Sequence, residues 1–297
     1  MRKYFLFSIF SALLILMSFR KPVVAKISIN DAVLKGLVKI KLNGAGGHSG
    51  RCVTGEIQNL KGQELNITFL PGHRLNSADD TEQDLLIVRE QMIVLSGSEK
   101  KNLDLSAFCC QLTNKSPGQG SGFKLGKSAD EKLVKLSKFI NGLDSLPDWV
   151  LQEAVWCISN NNNPSNIALY SDGPNENSHL KKNVDSLRKF VCKTTGKPDT
   201  WYSTPQNRFE TPERIIQPNP VEVYGTFSYE VTTPTTLNSE LIDPQGKVFF
   251  KMPGKEVKRK GKWDYEFQVY VKGFPPGNYH IVLKSGNTVI VDKEFTI

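Results

Sequence analysis

The spacing of apolar residues changes twice along this chain, and that change limits what it can fold into more than composition does. Toward the N-terminus apolar residues alternate, in Val38, Ile40 and Leu42, in Leu65, Ile67 and Phe69, and in Leu103, Leu105, Ala107 and Cys109. A period of two marks strands with one buried face. Gly44-Ala45-Gly46-Gly47, Pro71-Gly72 and Ser96-Gly97 interrupt the runs as turns. Short strands at this spacing predict a β-sandwich over residues 26–111. Continuous alternation puts Cys109 on the face of Leu103 and Leu105 and Cys110 on the opposite face with Phe108, so only one of the two is expected to meet Cys52.

Residues 112–202 read as a small helical unit. Ser128-Ala129-Asp130-Glu131 has the form of a capping box ahead of Leu133, Leu136, Ile140 and Leu143. Asp148 is expected to cap a second helix carrying Leu151, Ala154, Val155 and Ile158. A third starts near Ser178, carries Leu180, Val184, Leu187 and Val191, and is closed by Gly196. Residues 203–220 hold four prolines (Pro205, Pro212, Pro218 and Pro220) and read as a linker. Beyond it the period returns to two: Trp263, Tyr265, Phe267, Val269 and Val271 alternate, and Pro275-Pro276-Gly277 turns into Tyr279 to Leu283. Residues 221–297 are therefore expected to form an immunoglobulin-like β-sandwich, and the fold class is α+β.

The first 25 residues have the pattern of a cleavable signal peptide: Arg2 and Lys3, an uncharged apolar run from Tyr4 to Phe19, then Val23-Val24-Ala25 before the expected cut. No later stretch approaches the roughly 20 apolar residues of a membrane helix, so no span is expected after cleavage. No cysteine follows the apolar run until Cys52, which argues against a lipid-modified lipoprotein. The expected location is secreted, by way of the periplasm, or held at the cell surface. Cleavage also removes Arg2, Lys3, Arg20 and Lys21, so the formal charge falls from +8 to +4. The one dense basic run, Lys255 to Lys262, has no interleaved aromatic and reads as a solvated hairpin tip, not as a nucleic-acid site.

Cys52, Cys109, Cys110, Cys157 and Cys192 all lie in the exported part, where disulfides persist, and an odd count leaves one unpaired within the chain. Cys157 and Cys192 fall near the ends of the second and third helices, where a bridge and two separately buried thiols are both open. His48, His73, His179 and His280 are scattered without ligand spacing, so no metal or cofactor is expected.

Gly50-Arg51-Cys52, Pro71 to Leu75, Glu82 to Leu86, Ala107 to Gln111 and Gln152 to Trp156 together resemble a family of uncharacterised exported bacterial proteins. The helical half is also similar to the thioester domains of bacterial surface adhesins, in which an aromatic-Cys motif on a strand and a helix glutamine form an internal thioester. Phe108-Cys109 matches the first motif, and Gln152, Ala154 and Trp156 match a supporting Gln-x-Ala-apolar-Trp motif. The helix Leu133 to Gly142 lacks the closing glutamine, which leaves only Gln111 and Gln152 as substitutes. The resemblance thus implies the fold without the covalent chemistry. The last module resembles the sorting domain of the type IX secretion system and the immunoglobulin-like module of flagellar hook-capping proteins. The matching residues are Pro218-Asn219-Pro220, Leu241 to Lys247, Gly277-Asn278-Tyr279 and Lys293 to Ile297. That likeness implies contact with secretion machinery through residues 218–297. Asp144-Ser145-Leu146 and Asp185-Ser186-Leu187 are similar to a short O-glycosylation motif of bacteria with that system.

Other candidates read more simply. Asp79, Asp80, Glu82 and Asp84 lack the spacing of a calcium loop and suit a solvated turn. His48 beside Ser49 has no third group to orient it. Trp201 and Tyr202 are expected to seal a core edge at the end of the helical unit. The expectation is a non-enzymatic exported interaction protein that binds a surface protein or a glycan. A covalent adhesin acting through Cys109, and a secreted hydrolase with an unrecognised site, are its alternatives.

Overall fold

A computed structural model describes residues 25–169, 178–205 and 220–297. The expected signal peptide up to residue 24 and most of the expected linker, including Pro212 and Pro218, lie outside the described residues. The chain is α+β and divides into two compact units. One comprises residues 25–40, 56–69 and 91–101, the other residues 41–55, 70–90 and those from 102 onward.

The N-terminal elements are β1 (Lys26–Ser28), α1 (Ile29–Leu34), β2 (Val38–Ala45), β3 (Val53–Asn59), β4 (Leu65–Phe69), β5 (His73–Ser77), β6 (Leu85–Ile87), β7 (Gln91–Leu95), β8 (Lys100–Leu105), β9 (Phe108–Cys109) and β10 (Gln119–Ser128). In the smaller unit β1 runs parallel to β4, and β4 pairs antiparallel with β7. The alternation predicts only strands here, whereas α1 interrupts them. Ser28 caps it by accepting the Asp31 amide, and Ile29 and Ala32 are fully buried. Six residues are too few for a helical period to register. Asn59 is also buried in this unit, donating from Nδ2 to the carbonyls of Gln63 and Ser96 at 2.8 Å.

A seven-stranded sheet has the order β8-β3-β2-β10-β5-β6-β9. β10 pairs with both β2 and β5, so the first β layer extends past residue 111, where the sequence placed its end. Only Phe123 of β10 is buried, and a strand with one buried residue leaves little alternation to read. Ser128 belongs to β10, so the cap of α2 (Glu131–Asn141) is Asp130, whose side chain accepts the Lys132 and Leu133 amides at 3.0 and 3.1 Å. α3 (Asp148–Ser159) starts after Pro147 with no side-chain cap, so Asp148 is its first helical residue and not its cap. α4 (Ser178–Thr195) ends at Gly196, whose φ of 76° is the left-handed conformation glycine adopts cheaply. These helices bury Leu133, Leu136, Ile140, Val155, Leu187 and Val191 in one core with Leu86, Val88, Phe108 and Cys110. Arg89 fastens the α2–α3 loop by donating to the carbonyls of Leu143 and Asp144 at 2.7 and 2.8 Å.

The C-terminal strands are β11 (Tyr202–Ser203), β12 (Glu222–Val231), β13 (Thr235–Ile242), β14 (Val248–Val257), β15 (Gly261–Tyr270), β16 (Asn278–Ser285) and β17 (Thr288–Thr296). They form sheets of order β11-β12-β15 and β14-β13-β16-β17, with Val223, Phe227, Phe267, Tyr279, Ile281 and Phe295 in a shared core. Two sequence readings change here. β14 and β15 belong to different sheets, so Lys255 to Lys262 includes a crossover between sheets and is not a hairpin tip. Trp201 and Tyr202 belong to this core, not to the helical unit, and the boundary drawn at residue 202 cuts through β11. Trp201 lies 5.1 Å from the Phe227 ring and donates from Nε1 to the Glu294 carbonyl at 2.8 Å, and Tyr202 Oη accepts the Thr296 amide at 3.0 Å.

The same strand is tied to the helical layer. Pro164–Asn166 forms a short 3-10 turn after α3, and Asn166 exchanges hydrogen bonds with the Thr204 backbone at 2.8 and 3.2 Å. Ser203 Oγ donates to the Ser165 carbonyl at 2.6 Å.

Candidate functional site

β9 is only two residues long, yet the backbone on both sides of it is occupied. Leu85 and Leu86 of β6 pair with Cys109 and Phe108. Toward the other side, the Ala107 and Cys109 amides donate to the carbonyls of Gly50 and His48 at 2.8 and 3.0 Å, so the Gly-Gly-His-Ser-Gly segment lies along β9 like a further strand. Gly46, Gly47 and Gly50 have φ values of 92°, 86° and 71°, a backbone path that side chains with a Cβ rarely follow. A Cβ on Gly50 would stand 2.2 Å from Asp148 Oδ2. The first residue of α3 thus occupies the space that glycine leaves.

α3 carries the glutamine motif onto this strand. Gln152, Ala154 and Trp156 are buried, and Gln152 and Trp156, four apart, share a helix face. Gln152 treats Cys109 as one strand treats another: its Oε1 accepts the Cys109 amide at 3.0 Å and its Nε2 donates to the Cys109 carbonyl at 2.9 Å. Trp156 stacks on His48, with ring centroids 5.6 Å apart and planes inclined by 22°. Its Nε1–H is buried without a hydrogen-bond acceptor. The five residues of the thioester-domain-like motif, Phe108, Cys109, Gln152, Ala154 and Trp156, are therefore gathered where α3 crosses β9. Alternation fails to carry from β8 to β9 because the strand breaks at Ser106–Ala107, and Cys109 and Cys110 are both buried.

A second, half-buried network adjoins the first. Asp84 accepts from Arg74 Nη2 at 2.6 Å and from the Ser77 amide at 2.9 Å. Gln111 spans Asp84, its Oε1 accepting the Asp84 amide at 2.6 Å and its Nε2 donating to Asp84 Oδ2 at 3.1 Å. Gln83, fully buried, accepts the Gln111 amide at 3.2 Å and donates to the Asn114 carbonyl at 3.1 Å. The carboxylates of the 79–84 segment thus have different surroundings: Asp84 faces Arg74, while Asp79 accepts the Thr81 amide and hydroxyl at 2.8 Å. Among the described residues no group of histidines, cysteines and acids has metal-ligand geometry.

The structure forms no disulfide among the described residues. Cys52 donates to the Ala107 carbonyl at 3.3 Å and Cys157 to the Asn163 carbonyl at 3.3 Å. Burial pushes the Cys52 and Cys110 thiols up to about 12, so both are protonated and poor nucleophiles at neutral pH. Burial, then the Glu153 charge, raises Cys157 well above the ordinary thiol value, and burial also raises the half-exposed Cys192. Cys157 and Cys192 sit near the adjoining ends of α3 and α4, where Lys197 Nζ donates to the Asn161 and Asn162 carbonyls.

A cleft of about 780 Å³ lies between α4 and the β12–β15 face, with Lys181, Asp185 and Arg188 on one wall and Glu222, Tyr224 and Gln268 on the other. Residues 226 and 266 continue the second wall. Sequence reasoning misses this site, because its positions are far apart in the chain and share no motif, so no local signal marks them. Set against known proteins, the chain matches no family model, no curated protein and no solved structure.

Proposed function

We propose that this is a non-enzymatic exported or cell-surface interaction protein that holds its partner without a covalent bond. The observation that carries the reading is the occupation of both candidate carboxamides. Gln152 is bonded at both ends to the Cys109 backbone, and Gln111 at both ends to Asp84. A carboxamide so held is a structural brace. On this reading the partner is a surface protein or a glycan, and the immunoglobulin-like C-terminal module either directs the chain to its secretion machinery or spaces it from the surface.

The test is to treat the protein from its native host with methylamine and measure its mass, while intact cells are shaved with protease. The expected result is release from the cell exterior with no methylamine adduct. Retention inside the cell would overturn the reading of location. An adduct at a glutamine would replace it with the covalent adhesin, in whose favour stands the adjacency of Gln152 to Cys109. Closure of that thioester would join Cys109 Sγ to the Gln152 carbonyl carbon and release ammonia.

A further inference from the structure

We propose that the cleft between α4 and the β12–β15 face is the ligand site, and that it takes a neutral, hydroxyl-rich oligosaccharide; this rests on the non-covalent binding function above. At about 780 Å³ the cleft falls in the range of sites that hold a small ligand or a few sugar residues. Its two walls follow from periodicity. Lys181, Asp185 and Arg188 are spaced four and three apart, so they line one side of α4. On β12, Val223 and Phe227 enter the sandwich core, which turns Glu222, Tyr224 and Thr226 to the outer face. Register places Tyr224 opposite Gln268 and Thr226 opposite Glu266, so the polar positions of the two strands form one surface.

The polar groups are held in place. Arg188 donates to Asp185 at 2.9 Å, lies 3.1 Å from Asp199 and reaches the Ile167 carbonyl at 3.5 Å. Gln268 Nε2 donates to Glu222 Oε2 at 3.1 Å. β11 fixes the spacing of the walls, because it pairs with β12 while Ser203 and Thr204 bond to the turn at Ser165 and Asn166. Preformed walls lower the ordering cost of binding.

Charge selects the ligand class. Lys181 and Arg188 stand against Asp185, Glu222 and Glu266, a near balance that offers no field for a polyanion or a polycation. What the cleft offers is alternating donors and acceptors: cationic and amide N–H groups beside carboxylate oxygens. A hydroxyl both donates and accepts, so vicinal hydroxyls of a sugar match such a surface, and the half-buried Tyr224 ring supplies an aromatic face for its C–H groups.

The experiment titrates the 15N-labelled full chain with hexamers of β-1,4-glucose, β-1,4-N-acetylglucosamine, α-1,6-mannose and β-1,4-xylose. The expected result is saturable shifts for at least one hexamer at Tyr224, Gln268 and the α4 residues. Glu266→Ala and Gln268→Ala are each expected to weaken binding about tenfold, the loss of roughly 1.4 kcal/mol of polar contact. Both positions are exposed on a strand face, so unchanged thermal unfolding of the variants separates lost contact from lost fold. Ser228, further along β12 and outside the cleft lining, is hydrogen-bonded to Asp264 at 2.6 Å, and the control variant Ser228→Ala is expected to bind with unchanged affinity. No saturable shift with any hexamer overturns the assignment. Shifts confined to another surface overturn the cleft while leaving the binding function standing. A methylamine adduct on the same preparation overturns the binding function itself.

Discussion

Gln152 should be worth more to this fold than any other single polar side chain of the motif. Its carboxamide makes two hydrogen bonds of 3.0 and 2.9 Å to the Cys109 backbone, in a site where both residues are buried. The Cys109 amide is shared with the His48 carbonyl, so the two bonds together contribute about 1–2 kcal/mol, and the cavity left by the truncated side chain costs about 1–2 kcal/mol more. Gln152→Ala is therefore expected to destabilise by about 3 kcal/mol, which for a unit of this size lowers Tm by roughly 6–12 °C. Gln152→Glu sharpens the test, because it keeps the shape and exchanges the donor for an oxygen. The ionised carboxylate would face the Cys109 carbonyl in a buried site, so its folded pKa is raised above the unfolded value of about 4.3. A raised pKa gives stability that is present below the unfolded value and is lost as pH rises through the folded one. Chemical unfolding from pH 4 to 8 should accordingly show a deficit against the parent that is small in acid and grows toward neutrality. A cost below about 1 kcal/mol for Gln152→Ala, or a flat deficit for Gln152→Glu, would refute the brace.

Three further outcomes follow from separate parts of the molecule. A Cβ on Gly225 would stand 2.5 Å from the Trp201 carbonyl and 2.9 Å from Tyr202 Cα, so Gly225→Val should displace β11, cost about 2–3 kcal/mol and redden Trp201 fluorescence; unchanged emission would count against the packing. His73 is buried and its pKa is lowered by that burial. Its contribution to stability is complete above pH about 6.5 and is lost as pH falls from there through the folded value, so His73→Gln should flatten the pH dependence of unfolding in that window. In reduced protein an alkylating reagent should modify Cys192 before the four buried cysteines, and all five once the chain is unfolded, read by peptide mass; rapid native labelling of Cys110 would contradict its burial.

The parts of this architecture that were legible in the sequence are those with a long, unbroken period. Trp263 to Val269 lie in β15 as alternation predicts, and Leu133, Leu136 and Ile140 lie on the buried side of α2. The motif residues from Phe108 to Trp156 could be grouped by resemblance, and the structure brings them together. What was not legible is nonlocal or too short for a period. α1 has six residues, β10 has one buried side chain, and β11 has two residues whose role depends on partners more than twenty positions away. The Asp84–Gln111 pair closes over 27 positions through hydrogen bonds, which leave no hydrophobic pattern. The cleft walls are brought together through β11, which pairs with β12 while Ser203 and Thr204 bond to the turn at Ser165 and Asn166.

The central claim is that this chain is exported and binds without covalent chemistry, and the intact mass of the protein from its native host, taken without reductant, tests it most directly. The predicted mass begins at Lys26 and lacks no ammonia, with any deficit made only of hydrogen pairs from disulfides. A mass that retains residues 1–25, or one that is short by a single ammonia, would contradict it.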